Sequence, residues 1–506
     1  MEEESSQRKS GAILSYLAIL LNTLIQIVYA PFLIRMLGQS EYGLYSLVSS
    51  IIGYLTILDL GFGNAIIVYT SKYKSQGKIE EEKKLHGMFF VIFLIIGLIA
   101  GILGIILFLN VGKIFGETLT ENEILKAKAM MLILSVNLVI TFSFSIYSSI
   151  LSAYERFTFK KIIAILNSIL KPLIMLPLLF IGYKSLTLII IISILNIFTC
   201  LSNYLYCKKK LNIIIKFNGF DKKIFKVIFG YSIFIFIGEI VDKINWSADQ
   251  FILGAVSGTI AVSIYSVASQ LNNMFISFSS IMSSIFLPKI SKMVATKVDD
   301  KKISDEFVKI GRIQFFIIFL MASGFVVLGK NFITLWAGDS YIESFYVALV
   351  LILPLCVPLI QTLGLSIMQA KNKYKFRAII TFIMSIINII VSIFLARRYG
   401  PLGAAIGTSI SLIVCNIVIL NIYYYKALKL DIFKFWKEIF KQIIPFSIPI
   451  AIIIAFKLIT KLDGWSGIII SGGLYTIMYG LTSYFIVMNE YEKELIKKIL
   501  IKIKKF

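Results

Sequence analysis

The sequence predicts an all-α polytopic membrane protein, and three observations carry that prediction. Of 506 residues, 58% are hydrophobic and 14% aromatic, where soluble domains hold about 45–50% apolar residues; the mean hydropathy is +0.87. Apolar runs long enough to cross a ~30 Å hydrocarbon layer recur along the whole chain, too long and too unalternating for barrel strands. The basic residues are sorted between alternate connections, as they are when loops face two different compartments.

About fourteen spans are expected, at 12–36, 43–69, 87–109, 129–152, 162–182, 186–206, 228–253, 258–285, 312–335, 344–368, 376–396, 401–425, 442–460 and 466–488. The narrowest divisions are the turns near 183–185 and 254–257. With the N-terminus in the cytoplasm, the even-numbered connections and both tails hold about 39 of the 51 Lys and Arg residues. Arg312 and Arg377 are counted with those connections. The opposite side holds about ten, and Lys171 and Lys243 lie within spans. The expected location is therefore the cell membrane, multi-pass, with both termini cytoplasmic. The net charge of +23 then reflects topology and contact with anionic membrane lipids, not nucleic acid. The polar N-terminus MEEESSQRKSG lacks the layout of a signal peptide. The basic tail KELIKKILIKIKKF fits an amphipathic helix on the inner surface.

The seventh span, Phe229 to Leu253, is the polar exception among these helices. At about 1.5 Å per residue Glu239 lies roughly 15 Å in from Phe229, near the middle of the hydrocarbon layer. At about 100° per residue Glu239, Lys243, Trp246 and Gln250 share a face, and Asp242, Asn245 and Asp249 form the adjoining stripe. Ile240, Val241, Ile244, Ser247 and Ala248 fill the other side. A charge facing lipid at the centre of a helix costs about 2.5–3.5 kcal/mol, so this polar side must meet protein or water. A solvated cavity is the expected reading, and a structural ion pair between helices is the alternative.

Other spans carry weaker versions of the same pattern. In the first, Ser15, Asn22, Gln26 and Tyr29 share a face. Leu37-Gly38, followed by Tyr45-Ser46, matches Leu253-Gly254, followed by Tyr265-Ser266. That register places Gln26 over Asp242 and Tyr29 over Asn245. It suggests two six-helix halves around a cavity, as in many transporters. The expected domains are 1–220, 221–430 and 431–506, the last holding two added helices and the basic tail. In the second span LDLGFGNA, Leu58 to Ala65, places Asp59 beside Gly61 and Gly63, which permit a bend or close packing. Lys171 precedes Pro172 in the fifth span and faces either an interface or the cavity. Gln270, Asn272, Asn273 and Gln361 are read as contacts between helices.

Much chemistry is absent. There is no phosphate-binding GxxxxGK[ST] loop, no HExxH and no GxSxG. Cys200, Cys207, Cys356 and Cys415 have neither zinc nor redox spacing and are expected to be free thiols. His86 is the only histidine. The cluster Asp299, Asp300, Asp305 and Glu306 alternates with lysines and reads as a solvated helix face. No metal site, cofactor or catalytic cluster is expected, and the chain is not read as an enzyme.

The stretch FLIRMLGQSEYGLYSLVSSIIGYLTILDLGFGNAIIVY closely resembles the opening of polysaccharide-type flippases, the Wzx-like branch of the multidrug/oligosaccharidyl-lipid/polysaccharide (MOP) exporter superfamily. DQFILGAVSGTIAVSIYSVASQL with FLPKIS after it, ITLWAGDSYIESFYVALVLILPL and YGPLGAAIGTSI agree with it in order and spacing. The resemblance spans nearly the whole chain. It implies a MATE/MurJ-like fold: two six-helix lobes in a V around a central cavity, with two further helices at the C-terminus. It implies an isoprenoid-diphosphate-linked oligosaccharide as cargo, turned from the inner to the outer leaflet, a Na⁺ or H⁺ gradient as the drive, and polysaccharide polymerases and glycosyltransferases as associates. Basic residues in the cavity would meet the diphosphate or acidic sugars. The candidates here are Arg35, Lys171 and Lys243, with Asn22, Gln26, Tyr29, Trp246 and Gln250 suited to sugar hydroxyls and faces. Asp59, Glu239, Asp242 and Asp249 are the candidates for ion coupling. The competing readings are a cation-coupled multidrug exporter, a peptidoglycan-precursor flippase, and a membrane enzyme of lipid-linked glycan assembly.

Overall fold

The computed structural model describes residues 2–217, 222–460 and 464–503, and among them every regular element is a helix. The chain divides into two compact units, Met1–Ser263 and Ile264–Phe506. Ten helical stretches among the described residues are long and apolar enough to cross a membrane. Two of these, Leu21–Ser75 and Tyr374–Leu428, run to 55 residues each and are broken internally, so each holds two crossings. With the two long helices Lys222–Val256 and Gly258–Ala295 added, the architecture is consistent with the fourteen expected spans.

The first unit begins with α1 (Glu2–Leu55), which turns sharply at Gly38, where φ is 78°. The second crossing runs from there to Leu55, passes through a 3-10 turn at Thr56–Asp59, and resumes as α2 (Phe62–Ser75). Leu60 and Gly61 both hold left-handed backbone, at φ 52° and 69°, which glycine adopts at no steric cost and leucine does not. The bend expected in LDLGFGNA is therefore located at these two residues. Gly63 does the packing: a Cβ there would lie 3.2 Å from the Ser149 hydroxyl. α3 (Ile79–Phe115), α4 (Glu121–Ala153), α5 (Phe157–Phe180), α6 (Ser185–Lys209) and α7 (Lys222–Val256) complete this unit with the start of α8 (Gly258–Ala295). α3 packs along α4, α4 along α6, and α5 along α1. Between α4 and α6 the Asn137 amide donates to the Ser193 carbonyl at 3.0 Å, and Asn196 donates to Asn137 Oδ1 at 3.2 Å. Such amides join helices where no water competes for them.

At one end of this unit the α7–α8 turn is fastened to α1 and α4. Thr120 caps α4 and forms a capping box with Glu123. Glu123 Oε1 also accepts the Ser40 hydroxyl at 2.6 Å and the Thr259 hydroxyl at 2.7 Å. Thr118 donates to the Gly254 carbonyl at 2.6 Å. Glu41 accepts from Lys126 and Ser185 beside them. Gly254 does not end the seventh helix as the Leu-Gly register suggested. It continues the helix and leaves room for Leu47, whose Cδ1 would lie 2.4 Å from a Cβ. The left-handed residue is Gly258, at φ 81°.

The second unit takes the rest of α8, then α9 (Asp300–Trp336), α10 (Glu343–Ile360), α11 (Thr362–Ala370), α12 (Tyr374–Leu412), α13 (Leu420–Leu428), α14 (Ile432–Thr460), α15 (Gly464–Thr482) and α16 (Glu490–Ile503). α12 breaks at Gly400, and π-helical segments at Ile413–Ile419 and Ser483–Val487 lead into α13 and out of α15. Gln361 and Asn421, both buried, exchange amide hydrogen bonds, and Trp436 donates to Asn421. α14 and α15 pack on α9 through an aromatic stack in which Phe446 and Tyr479 lie 4.1 Å apart. Of the acids expected on a solvated face, Asp299 and Asp305 are exposed, and three pair with lysines of other segments: Asp300 with Lys371, Asp305 with Lys434 and Glu306 with Lys289. All four cysteines are free.

Gly43 tests the fastening of the α7–α8 turn. A Cβ there would stand 1.9 Å from the Thr259 carbonyl oxygen, a rigid backbone atom. Gly43→Val should lower stability by about 1–3 kcal/mol through overpacking, read as a drop in the melting temperature of the detergent-purified protein. An unchanged melting temperature would show that the turn is not held there.

Candidate functional site

The polar side of α7 faces the interrupted second crossing. α7 packs against α1, the 3-10 turn, α2 and α3. Aromatic pairs bracket the contact, Phe62 with Phe229 at 6.5 Å and Phe115 with Phe251 at 5.6 Å. Between them the Tyr54 hydroxyl reaches the Lys243 carbonyl at 3.5 Å. A Cβ on Gly53 would lie 3.6 Å from Lys243 Nζ. That is ordinary van der Waals contact, so Gly53 lies directly beside the ammonium. Asp59, on the 3-10 turn, lies near Glu239, and Asp249 lies near the Tyr54 hydroxyl.

The sequence candidates divide by position. Glu239, Lys243 and Gln250 are half-buried and Asp249 is 3% exposed, while Trp246 is 39% exposed. The side chains of Asp242 and Asn245 lie outside the described residues. On α1, Asn22, Gln26 and Arg35 are exposed and Tyr29 is buried, its hydroxyl lacking a hydrogen-bond partner. Lys171 is half-buried on α5, the helix that packs along α1. The structure thus sets Asp59 near Glu239 and Tyr54 near Lys243 and Asp249, and it places Lys171 on a helix adjoining the one that carries Asn22, Gln26, Tyr29 and Arg35. Gly53 and Tyr54 were missed. A tyrosine five residues before Asp59 was visible in the sequence, but nothing there paired it with the seventh span.

This arrangement can do three things chemically. A half-buried ammonium attracts an anionic group. Carboxyls that repel one another favour uptake of a cation or proton between them. The carbonyls around a left-handed break are not all used by helix bonds. None of these is a catalytic triad or a metal cluster, and no group of three or more metal-ligating side chains exists among the described residues.

The fold is shared with two helical membrane proteins of known structure. A solved structure of the lipid II flippase MurJ in an inward closed conformation superposes with a TM-score of 0.73 at 19% identity, covering 96% of this chain and 99% of that one. An inward-facing multidrug resistance MATE family transporter gives a TM-score of 0.67 at 14% identity, covering 81% and 95%. Residues 9–294 match the family described as polysaccharide biosynthesis protein, and the chain belongs to that family. A Shigella flexneri protein assigned as an O-antigen transporter is 24% identical over 79% of this chain and 94% of its own length.

If Asp59 and Glu239 oppose one another, removing either charge relieves the same repulsion. Asp59→Asn and Glu239→Gln should each raise the melting temperature slightly, and the double variant should gain no more than the better single one. Fully additive shifts would show that the two carboxyls act independently.

Proposed function

We propose that the protein is a flippase that carries an isoprenoid-diphosphate-linked oligosaccharide from the inner to the outer leaflet during cell-surface polysaccharide assembly. The observation that carries this reading is the polar side of α7, set against Tyr54 and Asp59 within a family named for polysaccharide biosynthesis. A glycan stripped of water without new partners loses several kcal/mol per polar group. A polar face within the bilayer supplies those partners, while the isoprenoid tail stays in lipid. Lys243 meets the diphosphate, with Lys171 and Arg35 as further cations along its path. Asn22, Gln26, Tyr29, Trp246 and Gln250 meet the sugars. Asp59 and Glu239, with Asp242 and Asp249, take up the coupling Na⁺ or H⁺. Both termini lie in the cytoplasm, on the side that holds most Lys and Arg residues. The division into lobes at 1–220 and 221–430, with the added helices at 431–506, belongs to the same proposal. The chain moves its cargo without chemical change and passes it to polymerases and glycosyltransferases.

The test is transport in proteoliposomes. A fluorescent diphosphate-linked oligosaccharide is reconstituted with purified protein, and its exposure in each leaflet is scored with and without a Na⁺ or H⁺ gradient. Protein-dependent exposure is expected, and Lys243→Ala should slow it at least tenfold while leaving the yield of folded protein near wild type. Equal loss of folded protein would assign Lys243 a structural role. Gradient-driven movement of an organic cation such as ethidium, with no glycolipid exposure, would make the protein a drug exporter.

A further inference from the structure

The C-terminal helix is rooted in a buried charge cluster. Arg312 on α9, counted from sequence among loop residues, is 7% exposed. Its guanidinium donates to Glu492 Oε1 at 2.8 Å and Oε2 at 3.0 Å, to Glu438 of α14 at 2.8 Å, and to the Val487 carbonyl at 3.2 Å. Glu492 is 3% exposed. Its backbone N–H bonds Asn489 Oδ1 at 3.0 Å, and its carboxylate accepts the Asn489 N–H at 2.9 Å, so it also caps the helix that it anchors. One turn earlier on α9, Lys309 Nζ lies 3.3 Å from the centre of the Tyr491 ring. Breaking a buried pair by removing one partner leaves an uncompensated charge, so the first turn of α16 is held firmly.

Beyond that root the sequence separates into two faces. At about 100° per residue, Leu495, Ile496, Ile499, Leu500 and Ile503 fall within one apolar arc of about 140°, while Lys493, Lys497, Lys498 and Lys502 occupy the rest of the circle together with Glu494 and Ile501. Lys497 is exposed and Leu495 half-buried. The helix follows the last apolar stretch, Gly464–Val487, after only two residues. Its root is therefore at the edge of the hydrocarbon layer. An apolar side with lysines opposite, placed at that depth, fits the boundary between acyl chains and anionic headgroups.

We propose that α16 is a docking arm for an anionic membrane surface, held at fixed depth by the Arg312–Glu492 anchor. The lysines select negatively charged lipid, and the anchor passes the arm's position to α9 and α14. This inference is independent of the cargo, and a failed transport assay leaves it standing.

The test is hydrogen exchange on full-length protein in nanodiscs of phosphatidylcholine alone or of an equal mixture with phosphatidylglycerol. Amides of 493–503 should exchange about tenfold more slowly in the anionic discs. Lys497, Lys498 and Lys502→Gln together should abolish that difference while the exchange of α9 and α14 stays at wild-type rates, because the anchor is untouched. Arg312→Gln should release the arm and remove the protection in both lipids. Equal protection in the two lipids would overturn the proposal, and so would protection that follows protein concentration instead of lipid charge, which would assign the surface to a second copy.

Discussion

Everything in this molecule answers to the cost of carrying ionisable groups through hydrocarbon. A membrane helix satisfies its own backbone, but a carboxylate or ammonium at mid-depth must find protein or water. The first unit solves this by breaking a helix. The left-handed pair Leu60 and Gly61 interrupts the second crossing beside Asp59, and α7 sets Glu239 near Asp59 and Lys243 near Tyr54. The second unit solves it by saturation, with Arg312 surrounded by two carboxylates and a carbonyl.

The ends of α7 explain why its middle stays polar without unfolding the unit. At one end the turn into α8 is clasped by Thr118 and Glu123; at the other, Phe229 meets Phe62. Phe115 and Phe251 add an apolar contact nearer the clasped end. The helix is held by hydrogen bonds and rings at its extremities, so the central charges need not contribute stability of their own. The polar side of α7 is thereby held in place from the two ends of the helix.

The fold class was legible in the sequence because membrane helices announce themselves by length and apolarity, which are local properties. The breaks at Gly38 and Gly61 were legible for the same reason, since glycine marks where backbone must leave the helical region. The site was legible only in part. That α7 has a polar side follows from residue spacing, yet its partners Gly53 and Tyr54 are some 190 positions away and carry no local signal. Arg312 shows the limit most clearly. It sits at the edge of a span and reads as a loop cation, and its burial depends on Glu438 and Glu492 far downstream. Gly254 misled for a related reason. Glycine serves both to end helices and to admit a neighbour, and only Leu47 shows which applies.

The break at Leu60-Gly61 has a mechanical consequence. A continuous helix is a stiff rod, and tilting one end moves the other. Two left-handed residues in succession divide this rod into a portion that ends at the 3-10 turn and a portion, Phe62–Ser75, that packs among α3, α4 and α7. The two portions therefore hold their tilts independently. The joint lies next to Asp59, so the position of that carboxyl is set by the angle between two helical portions and not by the bending of one.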